Sequence, residues 1–236
     1  MHHMKTVLAV VFLLAAAACG NSGDSARQAE AASAPPATVV QGARANEAQP
    51  RIVFLGDSLT AGLGLAADLS YPSLLQRRLD AEGYRYEVVN AGVSGDTSAG
   101  GLRRLDWSLE GDVRILIVAL GANDGLRGLS PREMQKNLAA IVESAQARGL
   151  TIILAGMEAP PNNGQEYTRE FRDVYPDLAG EYGVRLLPFL LQGVAGVRSL
   201  NQADGIHPNA RGAEIVADNV WDVLRSVLER PTAAAS

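Results

Sequence analysis

Short apolar runs closed by glycine or a polar turn residue alternate along the chain with longer stretches whose apolar positions recur at helical spacing. Residues 52–55, 86–90, 115–120, 151–154 and 184–187 are the short runs. Most are continuous rather than alternating, and a strand of that kind is buried on both faces, as in a parallel sheet. Between them, one helix opens at Tyr71-Pro72-Ser73, carries Leu74, Leu75 and Leu79, and closes at Gly83. A short helix is expected around residues 101–105. The next begins at the capping box Ser130-Pro-Arg-Glu133, sets Met134, Leu138, Ile141, Val142 and Ala145 on one face, and ends at Gly149. Residues 168–182 and 209–228 complete the helical stretches. Strands alternating with helices imply right-handed crossovers and a parallel sheet of about five strands covered on both faces. No internal repeat is visible.

Composition adds a compartment and a boundary. The 236 residues are 47% hydrophobic and 20% charged, which suits one globular domain with a tail. A formal net charge of -5 without clustered Lys or Arg argues against a nucleic-acid partner. Lys5 precedes an apolar stretch over residues 7–14 and the small residues Ala15 to Ala18, which is the form of a secretory signal and too short to span a membrane. Leu14-Ala-Ala-Ala-Ala-Cys19 resembles a bacterial lipobox, with Ala16 where Leu is usual. That resemblance implies lipidation of Cys19 and membrane attachment. Ordinary cleavage at an Ala-x-Ala site over residues 16–18 is the alternative. Cys19 is the only cysteine, so no internal disulfide forms. Residues 20–50 are rich in Ala, Ser, Gln, Glu and Pro and offer little to bury, so they read as a disordered tether. The chain therefore divides into a signal with lipobox (1–19), a tether (20–50) and a folded body (51–230).

Chemistry concentrates at the ends of the expected strands. Ser58 in Gly56-Asp57-Ser58 follows the first run, and the edge where parallel strands end is where such sheets bind ligands. Gly95 follows the second run and Asn123 the third. Of three histidines, His2 and His3 precede the signal core, which leaves His207 in the body. Imidazole is the base suited to activating a serine hydroxyl near neutral pH. Asp204, three residues earlier, can accept from its Nδ1 and orient it. The amides of Ser58 and Gly95 and the Asn123 side chain are natural donors to an oxyanion. Each residue alone also has a plain structural use: a turn at Gly-Asp-Ser, a positive φ at Gly95, an Asx turn at Asn123, a helix cap at Asp204.

Taken together, Gly56-Asp57-Ser58-Leu59, Gly95 in Ser-Gly-Asp-Thr, Gly121-Ala-Asn123-Asp124 and Asp204-Gly-Ile-His207-Pro208 resemble, in order, the four sequence blocks of the SGNH, or GDSL, hydrolase family. The stretches 90–97 and 156–162 resemble the branch of bacterial arylesterases and the periplasmic acyl-CoA thioesterase and lysophospholipase. The resemblance implies a flavodoxin-like three-layer α/β/α sandwich that hydrolyses small acyl esters or thioesters without cofactor or metal. It further implies Ser58 as nucleophile, His207 as base, Asp204 as its orienter, and Ser58, Gly95 and Asn123 as the oxyanion hole. The loop over residues 158–164 should stand at the same edge, with Pro160 and Pro161 walling the acyl channel. Three rivals are weaker. Thr60 replaces the second glycine of a Gly-x-Ser-x-Gly elbow. Asp57 as a phosphatase nucleophile has no partner Asp or metal-ligand cluster. A non-catalytic flavodoxin-like lipoprotein holding a phosphate or flavin has neither a P-loop lysine nor Gly-x-Gly-x-x-Gly.

Overall fold

The computed structural model describes residues 49–228. The expected signal, Cys19 and the tether as far as residue 48 lie outside the described residues. Five strands, β1 (Arg51–Gly56), β2 (Glu87–Gly92), β3 (Val113–Ala119), β4 (Thr151–Ala155) and β5 (Arg185–Leu187), form one sheet in the order β2-β1-β3-β4-β5. Every neighbouring pair is parallel. Ile52 to Leu55 and Leu116 to Val118 are fully buried, which is why their runs show no polar alternation. β2 lies at the sheet edge and contains no buried residue. Its apolar signal is correspondingly weak, and the strand runs one residue later at its start and two at its end than the expected 86–90.

Four long helices, α2 (Tyr71–Ala81), α6 (Pro131–Ala147), α7 (Gln165–Tyr182) and α8 (Ala210–Leu224), cover the sheet. Four short ones sit at its edges: α1 (Ser58–Ala61), α3 (Ser98–Arg103), α4 (Leu105–Ser108) and α5 (Ala122–Leu126). α2 packs on α8, and α6 packs on both α3 and α7, giving the three layers the resemblance implied. On α6, Met134, Leu138, Ile141, Val142 and Ala145 are all buried, as their spacing predicts. Each large one contributes roughly 1.5–3 kcal/mol relative to exposure. Only half of the expected capping box forms. Ser130 accepts from the Glu133 amide at 3.4 Å, while the Glu133 carboxylate pairs with Lys136 at 2.7 Å. α7 starts three residues before the expected 168, behind Gly164, which offers no side-chain cap.

Topology places the site. Gly56 stands opposite both Gly92 and Ala119, so β1, β2 and β3 end level and their following segments emerge together. Between β1 and β3 the strand order reverses direction, and open sheets of this order bind ligands at that crevice.

Candidate active site

Ser58 is the first residue of α1, not a member of an irregular loop as the turn-rich Gly-Asp-Ser suggests. The reason is local. Asp57 is the N-cap, its Oδ1 accepting from the Leu59 amide at 3.0 Å, so the chain winds into helix at once. The first-turn amides, Ser58 among them, then have no intrahelical acceptor and point out of the helix start. α1 is pinned from two sides. The Thr60 hydroxyl pairs with that of Tyr71 at 2.7 Å, and Asn90 Nδ2 donates to the Thr60 carbonyl at 2.9 Å. A Cβ on Gly92 would run into the Ala61 backbone, so the end of β2 can approach α1 this closely only with glycine there.

The second arm comes from residues 201–208, closed at its base by an isolated antiparallel bridge between Asn201 and Pro208. Within it Asp204 Oδ1 accepts from the amides of Ile206 and His207, both at 3.1 Å, and Oδ2 stands 2.7 Å from His207 Nδ1. These bonds, that from the imidazole first, hold the Asp204 carboxyl down at about 2. The carboxylate is thus ionised across the working range and keeps the proton on Nδ1. Nε2 faces the other way, 2.8 Å from Ser58 Oγ. Residues 149 apart in sequence therefore meet in one chain of hydrogen bonds: hydroxyl, imidazole, carboxylate.

The expected oxyanion donors converge on the same edge. Gly95 is exposed at φ +86°, where the nearest atom to an added Cβ would be 3.7 Å away. Conformation, and not lack of room, is what calls for glycine here. Asn123 lies in α5, again helical where a turn was the plain expectation. One of its Nδ2 hydrogens goes to the Asp96 carbonyl at 2.9 Å. Among the described residues the other Nδ2 hydrogen has only Asp57 Oδ2, at 3.5 Å too far to hold it firmly.

Three residues that motif reading passed over hold these donors. The buried Asp124 carboxylate accepts from the amide and hydroxyl of Ser98 at 2.8 and 2.7 Å, tying α5 to the start of α3. Arg127 donates to the Gly95 carbonyl at 2.8 Å. Arg104 pairs with Asp96 at 2.6 Å. Asp124 stood in a quoted block, but nothing along the chain marks any of these partners. Asp57 is also unusual: at 1% exposure, burial pushes its carboxyl up to about 6 against the pull of the Leu59 amide and His207.

A groove of about 420 Å³ opens beside Ser58, with Asn123 and His207 on its polar side. Leu126, Phe189, Pro160 and Pro161 line its apolar walls. A hydroxyl next to an oriented imidazole, amide donors nearby and an apolar groove together suit attack on a carbonyl carbon.

Residues 54–215 match the model of the GDSL-like lipase/acylhydrolase family. The chain is 45% identical over 178 residues to the esterase TesA of Pseudomonas aeruginosa, covering 75% of this chain and 89% of that protein. It is 39% identical over 168 residues to thioesterase 1/protease 1/lysophospholipase L1 of Escherichia coli, covering 71% and 79%. Among solved structures, the psychrotrophic esterase EstA of a Pseudoalteromonas species, inhibited by monoethylphosphonate, superposes with a TM-score of 0.72 at 36% identity. That match covers 75% of this chain and 98% of EstA.

Proposed function

The chain belongs to the GDSL-like lipase/acylhydrolase family and is a serine hydrolase of carboxylic esters, and from that premise we propose that Ser58, His207 and Asp204 carry the reaction. Ser58 Oγ attacks the acyl carbon as its proton passes to His207 Nε2. The carbonyl electron pair moves onto oxygen, where the amides of Ser58 and Gly95 and the second Asn123 Nδ2 hydrogen receive the charge. On collapse the carbon–oxygen bond to the leaving group breaks, and His207 returns the proton to the departing oxygen. Water, deprotonated by His207, then attacks the acyl carbon, the bond to Ser58 Oγ breaks, and His207 returns the proton to Oγ as the acid leaves. Asp204 stays ionised throughout and holds the imidazolium in register. The single observation that carries this reading is the unbroken series Ser58 Oγ, His207 Nε2, His207 Nδ1, Asp204 Oδ2 at 2.8 and 2.7 Å. A non-catalytic binding module would have no use for that series, and the named relatives are enzymes.

On substrate, the reading is an acyl chain lying along Pro160 and Pro161, with thioesters and lysophospholipids accepted beside simple esters. The apolar groove supports this, as does the name of the Escherichia coli relative. On location, it is export through residues 1–19, lipidation of Cys19, and a hydrolase body over 51–230 held to a membrane by the tether. Steady-state turnover of the body on p-nitrophenyl esters of graded length, acyl thioesters and lysophospholipids tests the substrate reading. Hydrolysis of all three classes with a graded length dependence is expected. Hydrolysis of esters alone would remove thioesters and lysophospholipids from it.

A further inference from the structure

Resting on the acyl-transfer site proposed above, we infer that Arg104 is a positioning residue that sets the oxyanion donors at their distance from the nucleophile. It touches no substrate. Its guanidinium, with a side chain only 16% exposed, reaches the ends of two strands and the oxyanion loop at once. Nη2 donates to the Gly56 carbonyl at 2.8 Å, two residues before Ser58. Nη1 donates to the Ala91 carbonyl at 2.7 Å, at the end of β2, and to Ser108 Oγ at 3.2 Å. Nε meets Asp96 Oδ2 at 2.6 Å.

Asp96 is the link to the chemistry. It follows Gly95 directly, and its backbone carbonyl takes the Asn123 hydrogen at 2.9 Å. From one guanidinium, then, one bond leads to the strand that delivers Ser58, and another to the residue shared by both remaining donors. The other side of Asp96 is closed as well, since a Cβ on Gly100 of α3 would meet the Asp96 carboxylate at 2.5 Å. A planar guanidinium fixes the angles between its donors, so the acceptors it joins cannot drift apart independently. An ammonium in its place, with its three rotatable donors on one atom, cannot set their mutual spacing. Oxyanion donors work at about 2.7–3.1 Å from the oxyanion, and a misplacement near 1 Å costs on the order of 10²-fold in rate.

The test is kinetic. Arg104→Met and Arg104→Lys are made alone and together with Asn123→Ala, and each is assayed on p-nitrophenyl butyrate at a temperature where circular dichroism shows it folded. Either Arg104 change should lower kcat about 10- to 100-fold while KM stays within about threefold, with Lys restoring little. Adding Asn123→Ala to Arg104→Met should cost far less than the product of the two single losses, because both act through the same donors. A residue that only stabilises the fold would move the denaturation midpoint and leave the folded enzyme's kcat near that of the parent. That result, or losses that multiply, overturns the inference. If Arg104→Met does not fold, Arg104→Lys is judged by the same criteria. Ser58→Ala run alongside separates the two levels: full turnover there sinks the acyl-enzyme reading itself, whereas a dead Ser58→Ala beside fully active Arg104 variants sinks only the role of Arg104.

Discussion

Asp57 gives the account a prediction with a sign and a size. The native carboxyl is 1% exposed and holds its proton up to about 6, while an ordinary aspartate releases it near 3.8. Between those values the native state binds more protons than the unfolded chain, so stability falls as pH rises through the window and levels off above it. A displacement of about two pH units corresponds to roughly 3 kcal/mol, or some 6–12 °C in Tm for a domain of this size. The perturbation is Asp57→Asn, which keeps an oxygen to accept from the Leu59 amide and removes the titration. An uncharged amide so near Asn123 brings a constant cost of its own. That cost cancels when the variant and parent are compared with each other at several pH values. Urea denaturation of both between pH 4 and pH 8 should show the variant gaining about 2.5 kcal/mol of that on the parent as pH rises, with most of the change between pH 4 and 6. Parallel stability curves would refute the reasoning, because they would mean that Asp57 titrates alike in both states.

The remaining predictions are read in turnover and fractionation. Asn123→Ala should lower kcat by on the order of 10²-fold with little change in KM, since its second Nδ2 hydrogen, only loosely held by Asp57, gains most when charge develops on the oxyanion in the transition state; a mutant impaired only in KM would make Asn123 a substrate-binding residue. Replacing Pro160 and Pro161 with Gly should flatten the acyl-length profile of kcat/KM while leaving phosphonate labelling of Ser58 nearly intact, and an unchanged profile would make the loop a support and not a selector. Cys19→Ser should shift the protein from membrane to soluble fractions at equal specific activity; an unchanged distribution would remove lipidation.

Much of this was legible along the chain, and what was not has physical causes. Continuous apolar runs announce β1 and β3 because both faces of those strands are covered. β2 blurs because it is an edge strand whose residues stay partly exposed. His207 stands out as the one histidine of the expected body, whereas Ser58, Asp204, Gly95 and Asn123, each with a plain structural use, drew their roles together from the resemblance to the family's four blocks. The helical setting of Ser58 and Asn123 was hidden, since α1 and α5 are too short to show a period. Asp57 drew notice only as a rival nucleophile, and its burial as a helix cap depends on packing that one sequence does not display. Arg104 has no local signature, as its acceptors Gly56, Ala91 and Asp96 are brought together only by the ends of β1 and β2.

The central claim is that Ser58 becomes acylated, and a serine-directed phosphonate tests it most directly. Mass spectrometry of the treated protein should show one adduct per chain, mapped to Ser58, with activity lost in proportion. Ser58→Ala should take up no label and turn over no ester. An adduct on another residue, or full turnover by Ser58→Ala, would contradict the account.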